Sequence, residues 1–281
     1  MEVWYWLVSW LPFEWAAADS MYFMKNALLA IFVVTPLFGL LSTMVVESRM
    51  AFFSDALGHS AFTGMAIGAI CGLAEPVAGT VIFAVIIAFL FTIVRQRTTM
   101  ASDTAISVFS SAAVALGIFI STLGGQSFTK FNNLLIGDIL SVSPGEIGLL
   151  AIILLLLIIL WVTSFNQMML TAVHQALADS RGVKVFWKNF LFTAAIAVVV
   201  TITMTWVGLL VINALIVLPG AAARNIARNL PQYHLISVLG GLVCGVAGLM
   251  VSYHLGASTG ASITVLLALW FFVTLLFKGK H

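Results

Sequence analysis

Charged residues are scarce in this sequence. Only 8% of its 281 residues are Asp, Glu, Lys or Arg, and 62% are hydrophobic, whereas a soluble domain is about one quarter charged. So few charges cannot cover a surface that faces water, which excludes an ordinary soluble protein. Apolar runs of about 20 residues recur instead, and a helix of that length crosses a hydrocarbon core of about 30 Å. The sequence therefore predicts an integral membrane protein.

Signatures of several enzyme classes are missing as well. The two cysteines, Cys71 and Cys244, stand alone, which excludes a CxxC metal site and a disulfide framework. No GxxxxGK[ST] occurs, so the chain has no phosphate-binding loop and does not hydrolyse ATP by itself. Neither HExxH nor GxSxG occurs, which disfavours an intramembrane zinc protease or a serine hydrolase. We expect no enzymatic activity, no permanently bound cofactor and no nucleic-acid partner.

The fold class follows from the form of the hydrophobic runs. The alternating pattern of an outer-membrane barrel is absent, because runs such as Leu149–Val162 are apolar on every face. Helices are then the spanning elements, and we expect an all-α polytopic membrane protein. The predicted spans are residues 22–46, 51–72, 76–94, 103–123, 145–165, a region at 190–223, 232–252 and 258–277.

The region 190–223 decides the number of spans. It is long for one crossing and tight for two, and a turn near Gly208 would allow two. Two crossings give nine spans, which we favour, and one crossing gives eight.

The positive charges favour nine. Of twelve Lys and Arg, all but Lys25 and Lys130 then fall on one side: Arg49, Arg95, Arg97, Arg181, Lys184, Lys188, Arg224, Arg228, Lys278 and Lys280. The positive-inside rule makes those loops cytoplasmic, with the amino terminus outside and the carboxyl terminus inside.

Three segments outside the spans have distinct compositions. Residues 1–20 contain Trp4, Trp6, Trp10 and Trp15, which predicts an interfacial segment at the bilayer surface before one transmembrane domain at 21–281. Residues 124–146 contain an apolar stretch too short to span, which lies on the surface or re-enters. The composition of the cytoplasmic loop 164–189 suits a short helix that lies across the membrane face. Such a helix would be a docking element for a soluble partner. The alternative is a solvated connector.

Asp55 and His59 are the polar residues that this composition does not explain. Ionisable groups within a span are costly and are functional candidates by default. At i and i+4 they share one helical face, where they offer an oxygen and a nitrogen ligand to a divalent cation. Zinc needs four ligands and manganese needs more, so one pair is too few. A two-fold dimer would supply two carboxylates and two imidazoles.

Structural roles compete with the metal interpretation. Asp55 could stabilise a helix amino terminus, and His59 could bond a carbonyl of a neighbouring span. If Arg49 marks the membrane boundary and the helix rises about 1.5 Å per residue, His59 lies about 15 Å inside, near mid-bilayer. A helix-capping role does not explain a histidine at that depth. Asn213 and Pro219 could open a helix onto a pathway, or neighbouring helices could satisfy the break. The glycines of residues 239–248 suit close helix packing.

Four motifs resemble a known family in their order and spacing. They are RMAFFSDALGHSAFTGMAIG (49–68), LLIGDILSVSPGEI (134–147), WVGLLVINALIVLPGAAARNIAR (206–228) and GASTGASITVLLA (256–268). Together they resemble the permeases of bacterial zinc, manganese and iron ABC importers. The tryptophan-rich amino-terminal segment departs from that pattern.

The resemblance implies a function and a set of partners. It implies a homodimer in the bacterial cytoplasmic membrane, with one ATP-binding subunit under each copy and an extracytoplasmic metal-binding protein. Asp55 and His59 would contact the transported Mn²⁺, Zn²⁺ or Fe²⁺. Ala178, Asp179 and Gly182, in the segment ALADSRGV, would meet the ATPase. The alternatives are a proton-coupled metal carrier without an ATPase and an ABC permease for a metal chelate.

Overall fold

The computed structural model describes residues 2–10, 15, 21–72, 76–98, 100–123 and 137–277. Within these ranges the regular structure is helical and no strand occurs, which confirms the all-α prediction. The helices are α1 (Glu2–Ser9), α2 (Tyr22–Glu47), α3 (Phe53–Ile70), α4 (Pro76–Arg97), α5 (Ser102–Leu123), α6 (Pro144–Val173), α7 (Gln175–Ser180), α8 (Val185–Val207), α9 (Leu209–Ile226), α10 (Leu230–Leu255) and α11 (Thr259–Leu276).

The number of spans agrees with the prediction of eight or nine. In the described part of the chain, eight helices are long and apolar enough to cross a membrane. A ninth long helix, α3, has 18 residues and carries both Asp55 and His59. The least apolar of the long helices is thus the one with the candidate ligands.

The ambiguous region 190–223 contains two helices. α8 ends at Val207 and α9 begins at Leu209, and Gly208 between them has φ +88°. Residues other than glycine rarely adopt that conformation, so a glycine at this turn is expected. Each helix is long and apolar enough to cross a membrane, as the preferred interpretation of two short crossings requires.

Helix α2 lies at the centre of the bundle. It packs against α6, α9 and α10, while α3 packs against α4 and α5. α8 connects the two groups through contacts with α3, α4 and α6. Leu37, Phe38 and Leu41 of α2 have no exposed surface. The helix that precedes the candidate site is therefore fixed on several sides.

Polar side chains of α2 join it to α9 and α10. Ser42 Oγ accepts a hydrogen bond from the Gly220 N–H at 2.7 Å, directly after Pro219. Ser237 Oγ donates to the Gly39 carbonyl at 2.8 Å. Since hydrocarbon provides no hydrophobic drive between helices, such bonds and close packing hold a bundle together. A neighbouring helix thus supplies a partner at the proline break, as the alternative interpretation expects.

The first twenty residues are described only in part. Within α1, the Trp4 indole N–H donates to the Lys25 carbonyl at 2.9 Å, and the Tyr5 hydroxyl donates to Asn26 Oδ1 at 2.8 Å. Trp6 and Trp10 are exposed. The helix therefore packs on the start of α2 with two indoles outward, an arrangement consistent with the expected interfacial position.

Two loops differ in extent from their predicted ranges. α6 continues to Val173 and α8 starts at Val185, so the connection is shorter than residues 164–189. It contains the expected short helix, α7. In the predicted segment 124–146, residues 124–136 lie outside the described residues. Ile139, in the 3-10 turn that follows them, is buried.

Helix α10 approaches its neighbours very closely at its glycines. A Cβ on Gly248 would lie 2.6 Å from Ile263 Cγ1 and 2.7 Å from Ile263 Cα in α11. The Ile263 backbone cannot yield as a flexible side chain would, so the two helices approach closely only because no Cβ is present. This confirms the packing role predicted for the glycines of residues 239–248.

Gly248→Ala is expected to destabilise the bundle by about 1–3 kcal/mol, the usual cost of overpacking. Gly148→Ala is the matched control, because a Cβ there meets no atom within 4 Å. The control should be neutral or stabilise by up to about 1 kcal/mol through helix propensity. Thermal denaturation midpoints of the purified variants in detergent measure both, and equal midpoints would contradict the close contact.

Candidate metal site

Helix α3 begins after a turn rather than continuing from α2. α2 ends at Glu47, Arg49 adopts φ +54°, and α3 starts at Phe53. The depth of His59 therefore cannot be counted along one helix from Arg49, and that step of the sequence argument is wrong. Asp55 lies in the first turn of α3.

The depth of the site follows from α9 instead. At the end with the basic loops, Arg224 Nε lies 3.5 Å from Glu47 Oε1. Asn213 lies about 16 Å further along α9, at about 1.5 Å per residue. Because Asn213 bonds to Asp55, the carboxylate lies inside the bundle, beside the part of α9 that is remote from Arg224.

Two side chains contact the Asp55 carboxylate. Asn213 Nδ2 donates to Oδ1 at 3.0 Å, and His59 Nε2 lies 3.5 Å from Oδ2. No side chain makes a cap bond at the amino terminus of α3. The helix dipole still favours a carboxylate in this first turn. The carboxylate therefore has the expected helix-start position, but its hydrogen bond goes to a neighbouring helix.

The pair faces outward from the single chain. The side chain of Asp55 is 46% exposed and that of His59 42% exposed, whereas most other residues of α3 are buried. Ionisable groups that faced lipid at this depth would be very costly. This face of α3 therefore requires a polar neighbour beyond those that the described residues of one chain provide.

A small polar cavity adjoins the carboxylate. It has a volume of about 200 Å³ and is lined by Asp55 and Phe52 together with Ser107, Ser110 and Ser111 of α5. The three serines have i, i+3 and i+4 spacing, so they share one face of their helix. Sequence reasoning missed them, although that spacing is a readable signal.

Asn213 has a different role from the one considered in the sequence. Its amide holds Asp55 while its own Oδ1 is buried without a hydrogen-bond partner. A single asparagine within the apolar run LLVINALIVL was the available signal. Asp103, in contrast, is exposed in the first turn of α5, where a carboxylate stabilises a helix amino terminus.

The described part of one chain supplies too few ligands for a closed metal site. Among the described residues, no group of three His, Cys, Asp or Glu side chains could hold an ion. The Asp55–His59 pair therefore needs further ligands from outside these residues.

A larger cavity lies at the opposite end from the Glu47–Arg224 pair. It has a volume of about 610 Å³ and is lined in part by Asp138, Gly208 and Thr259. Leu209, next to this lining, packs so closely on Gly58 that a Cβ there would overlap it. Since Gly58 is one turn from Asp55, an apolar contact lies between the cavity and the pair.

Comparison with known proteins places the chain in a family. The model of the ABC 3 transport family matches residues 20–278. The chain belongs to the ABC 3 transport family. This confirms the resemblance indicated by the four motifs, and with it a multi-pass membrane permease of an ABC transporter.

Relatives in the ABC 3 family cover nearly the whole chain. An uncharacterised membrane protein of Synechocystis is 31% identical over 91% of this chain and 91% of its own length. The manganese import system permease protein ScaB of Streptococcus gordonii is 27% identical over 92% of this chain and 93% of its own. PsaBC from Streptococcus pneumoniae, solved in complex with Fab, has a similar structure, with TM-score 0.76, 26% identity and coverage of 98% and 95%.

The residues expected to meet an ATPase lie together on and beside α7. Ala178 is buried and anchors the helix, while Asp179 is exposed. Gly182 has φ +73°, and its N–H donates to the Asp179 carbonyl at 2.9 Å. The three positions thus form one compact turn at the basic end of this ABC 3 permease.

The contact between Asp55 and Asn213 predicts an energetic coupling. Asn213→Ala should destabilise the protein by about 1.5–3 kcal/mol, the range for a hydrogen bond to a charged group. In an Asp55→Ala background the same change should cost much less.

Denaturation of the four proteins by SDS in mixed micelles measures this cycle. Asn225→Ala removes a hydrogen bond to Thr274 far along α9 and is the control. Its effect should add to that of Asp55→Ala. If the effect of Asn213→Ala also added fully to that of Asp55→Ala, the coupling would be contradicted.

Proposed function

We propose that this permease acts as a homodimer in an ATP-driven importer of manganese. Asp55 and His59 of the two copies bind the ion between them. The observation that carries the proposal is a half-exposed carboxylate and imidazole on one helix of the bundle, with too few further ligands among the described residues of one chain. A second copy related by two-fold symmetry covers the exposed face and doubles the ligands.

The donor set supports a transition metal as the substrate. Two carboxylates and two imidazoles suit manganese, zinc and iron(II), and the carboxylates favour the harder ions. ScaB, one of the relatives, is named as a manganese import permease. Asn213 orients each carboxylate, so that a lone pair remains directed to the ion.

Helix contacts supply a route for coupling to ATP hydrolysis. A cytoplasmic ATP-binding subunit docks on α7, which is followed directly by α8. α8 packs against α3, the helix that carries the site. Displacement of α7 is thereby passed to Asp55 and His59. An extracytoplasmic metal-binding protein delivers the ion on the side of the larger cavity, with the amino terminus outside and the carboxyl terminus in the cytoplasm.

Asp55→Asn and His59→Ala should each abolish manganese uptake by cells that depend on this transporter, because each removes a ligand from both copies. Asp103→Asn is the control, since it removes an exposed carboxylate at a helix start. Size-exclusion chromatography should give wild-type dimer yields for all three. Wild-type uptake by the two site variants would refute the site.

Competition by zinc and iron(II) in the same uptake assay identifies the preferred metal. Uptake should also require the ATP-binding subunit. Uptake without that subunit that collapses with a proton uncoupler would instead establish a proton-coupled carrier.

The dimer face has its own test. Phe52 is 64% exposed on the same face as Asp55, and Leu156 on α6 is 60% exposed. In a chain lacking Cys71 and Cys244, Phe52→Cys should form a covalent dimer in membranes with a short bis-methanethiosulfonate reagent, which forms a disulfide with each cysteine and releases methanesulfinate. Leu156→Cys should remain monomeric on denaturing gels. The reverse pattern would place the interface elsewhere.

A further inference from the structure

A shallow apolar groove runs along the outside of the bundle between α6 and α8. Its volume is about 290 Å³, and its lining is aliphatic throughout, within Ile153–Leu160 of α6 and Leu191–Val199 of α8. Leu157 and Val199 are buried at its base. Ala194 and Ala195 leave space where larger side chains would fill it.

Basic and aromatic residues continue the groove face of α8 toward its amino terminus. Trp187 and Lys188 precede Leu191 by four and three positions, so they share its face of the helix, and Lys184 directly precedes the helix. Trp187 is 57% exposed. Exposed tryptophan at a helix end is typical of the boundary between acyl chains and headgroups. The groove therefore opens onto a basic, interfacial end.

Lys188 closes that end of the groove against α6. Its Nζ donates to Ser164 Oγ at 3.3 Å. An ammonium group has three N–H donors, so two remain. Among the described residues, neither Lys184 nor Lys188 takes part in an ion pair. Two cations without carboxylate partners thus lie at the end of an apolar groove.

The dimensions match one leaflet of a bilayer. From Leu191 to Val199 the groove extends about 12 Å along α8, and Lys188 lies about 5 Å before it. Half of a hydrocarbon core is about 15 Å. An acyl chain that lies in the groove therefore brings its phosphate to Lys188.

We propose that the groove binds an anionic phospholipid from the leaflet on the basic side. One acyl chain lies over Ala194 and Ala195, and the phosphate contacts Lys188 and Lys184. Basic pockets between membrane helices favour such headgroups. α6 packs against α2 and α8 rather than α3, so the lipid site lies apart from Asp55 and from the proposed dimer face.

The test titrates the purified full-length chain in detergent with phosphatidylglycerol or phosphatidylcholine and counts bound lipid by native mass spectrometry. The wild type should prefer phosphatidylglycerol. Lys188→Gln should weaken that binding about fivefold, the factor for one lysine near an anionic surface, and leave phosphatidylcholine unaffected. Arg228→Gln removes a basic charge in the turn before α10 and is the matched control, with both lipids unchanged.

Ala194→Phe fills the groove without changing charge and should remove the bound lipid at an unchanged thermal midpoint. The proposal is overturned if Lys188→Gln binds phosphatidylglycerol as the wild type does, if the two lipids bind equally, or if Ala194→Phe retains its lipid. Efficient cross-linking of Leu156→Cys to a second copy would also overturn it, because protein would then cover the groove.

Discussion

Hydrocarbon solvates neither a charge nor an unpaired backbone group, and the arrangement of this permease follows from that constraint. A carboxylate inside a helix bundle needs several polar contacts. Asp55 obtains them from the amino terminus of α3, the amide of Asn213 and the imidazole of His59. The remaining exposed surface of the pair is the part that a second copy completes in the proposed dimer.

The same constraint explains how the helices around the site are held. Hydrophobic association contributes little between helices in lipid, so contacts depend on small residues and hydrogen bonds. Ser42 bonds to Gly220 at the proline break of α9, and Gly248 lets α11 approach α10. The first of these contacts fixes α9, which carries Asn213. The position of one amide beside the carboxylate thus depends on packing elsewhere in the bundle.

Local features of the sequence were predictable, and contacts between distant segments were not. Apolar runs gave most spans to within a few residues, as for α5, and the i, i+4 spacing placed Asp55 beside His59. The hydrogen bond to Asn213 joins residues 158 positions apart, and no local pattern encodes it. The depth of His59 was argued wrongly because helical rise was counted from Arg49, and Arg49 lies in the turn before the helix that starts at Phe53.

Helix α3 also has a consequence for how the protein is assembled. It is long enough to span the membrane, yet its composition is not apolar enough to place it among the eight candidate spans of the described residues. Its insertion therefore depends on α4 and α5, which pack against it and follow it along the chain. During synthesis the ligand-bearing segment therefore becomes stable in the bilayer only after α5, which ends at Leu123, has followed it into the membrane.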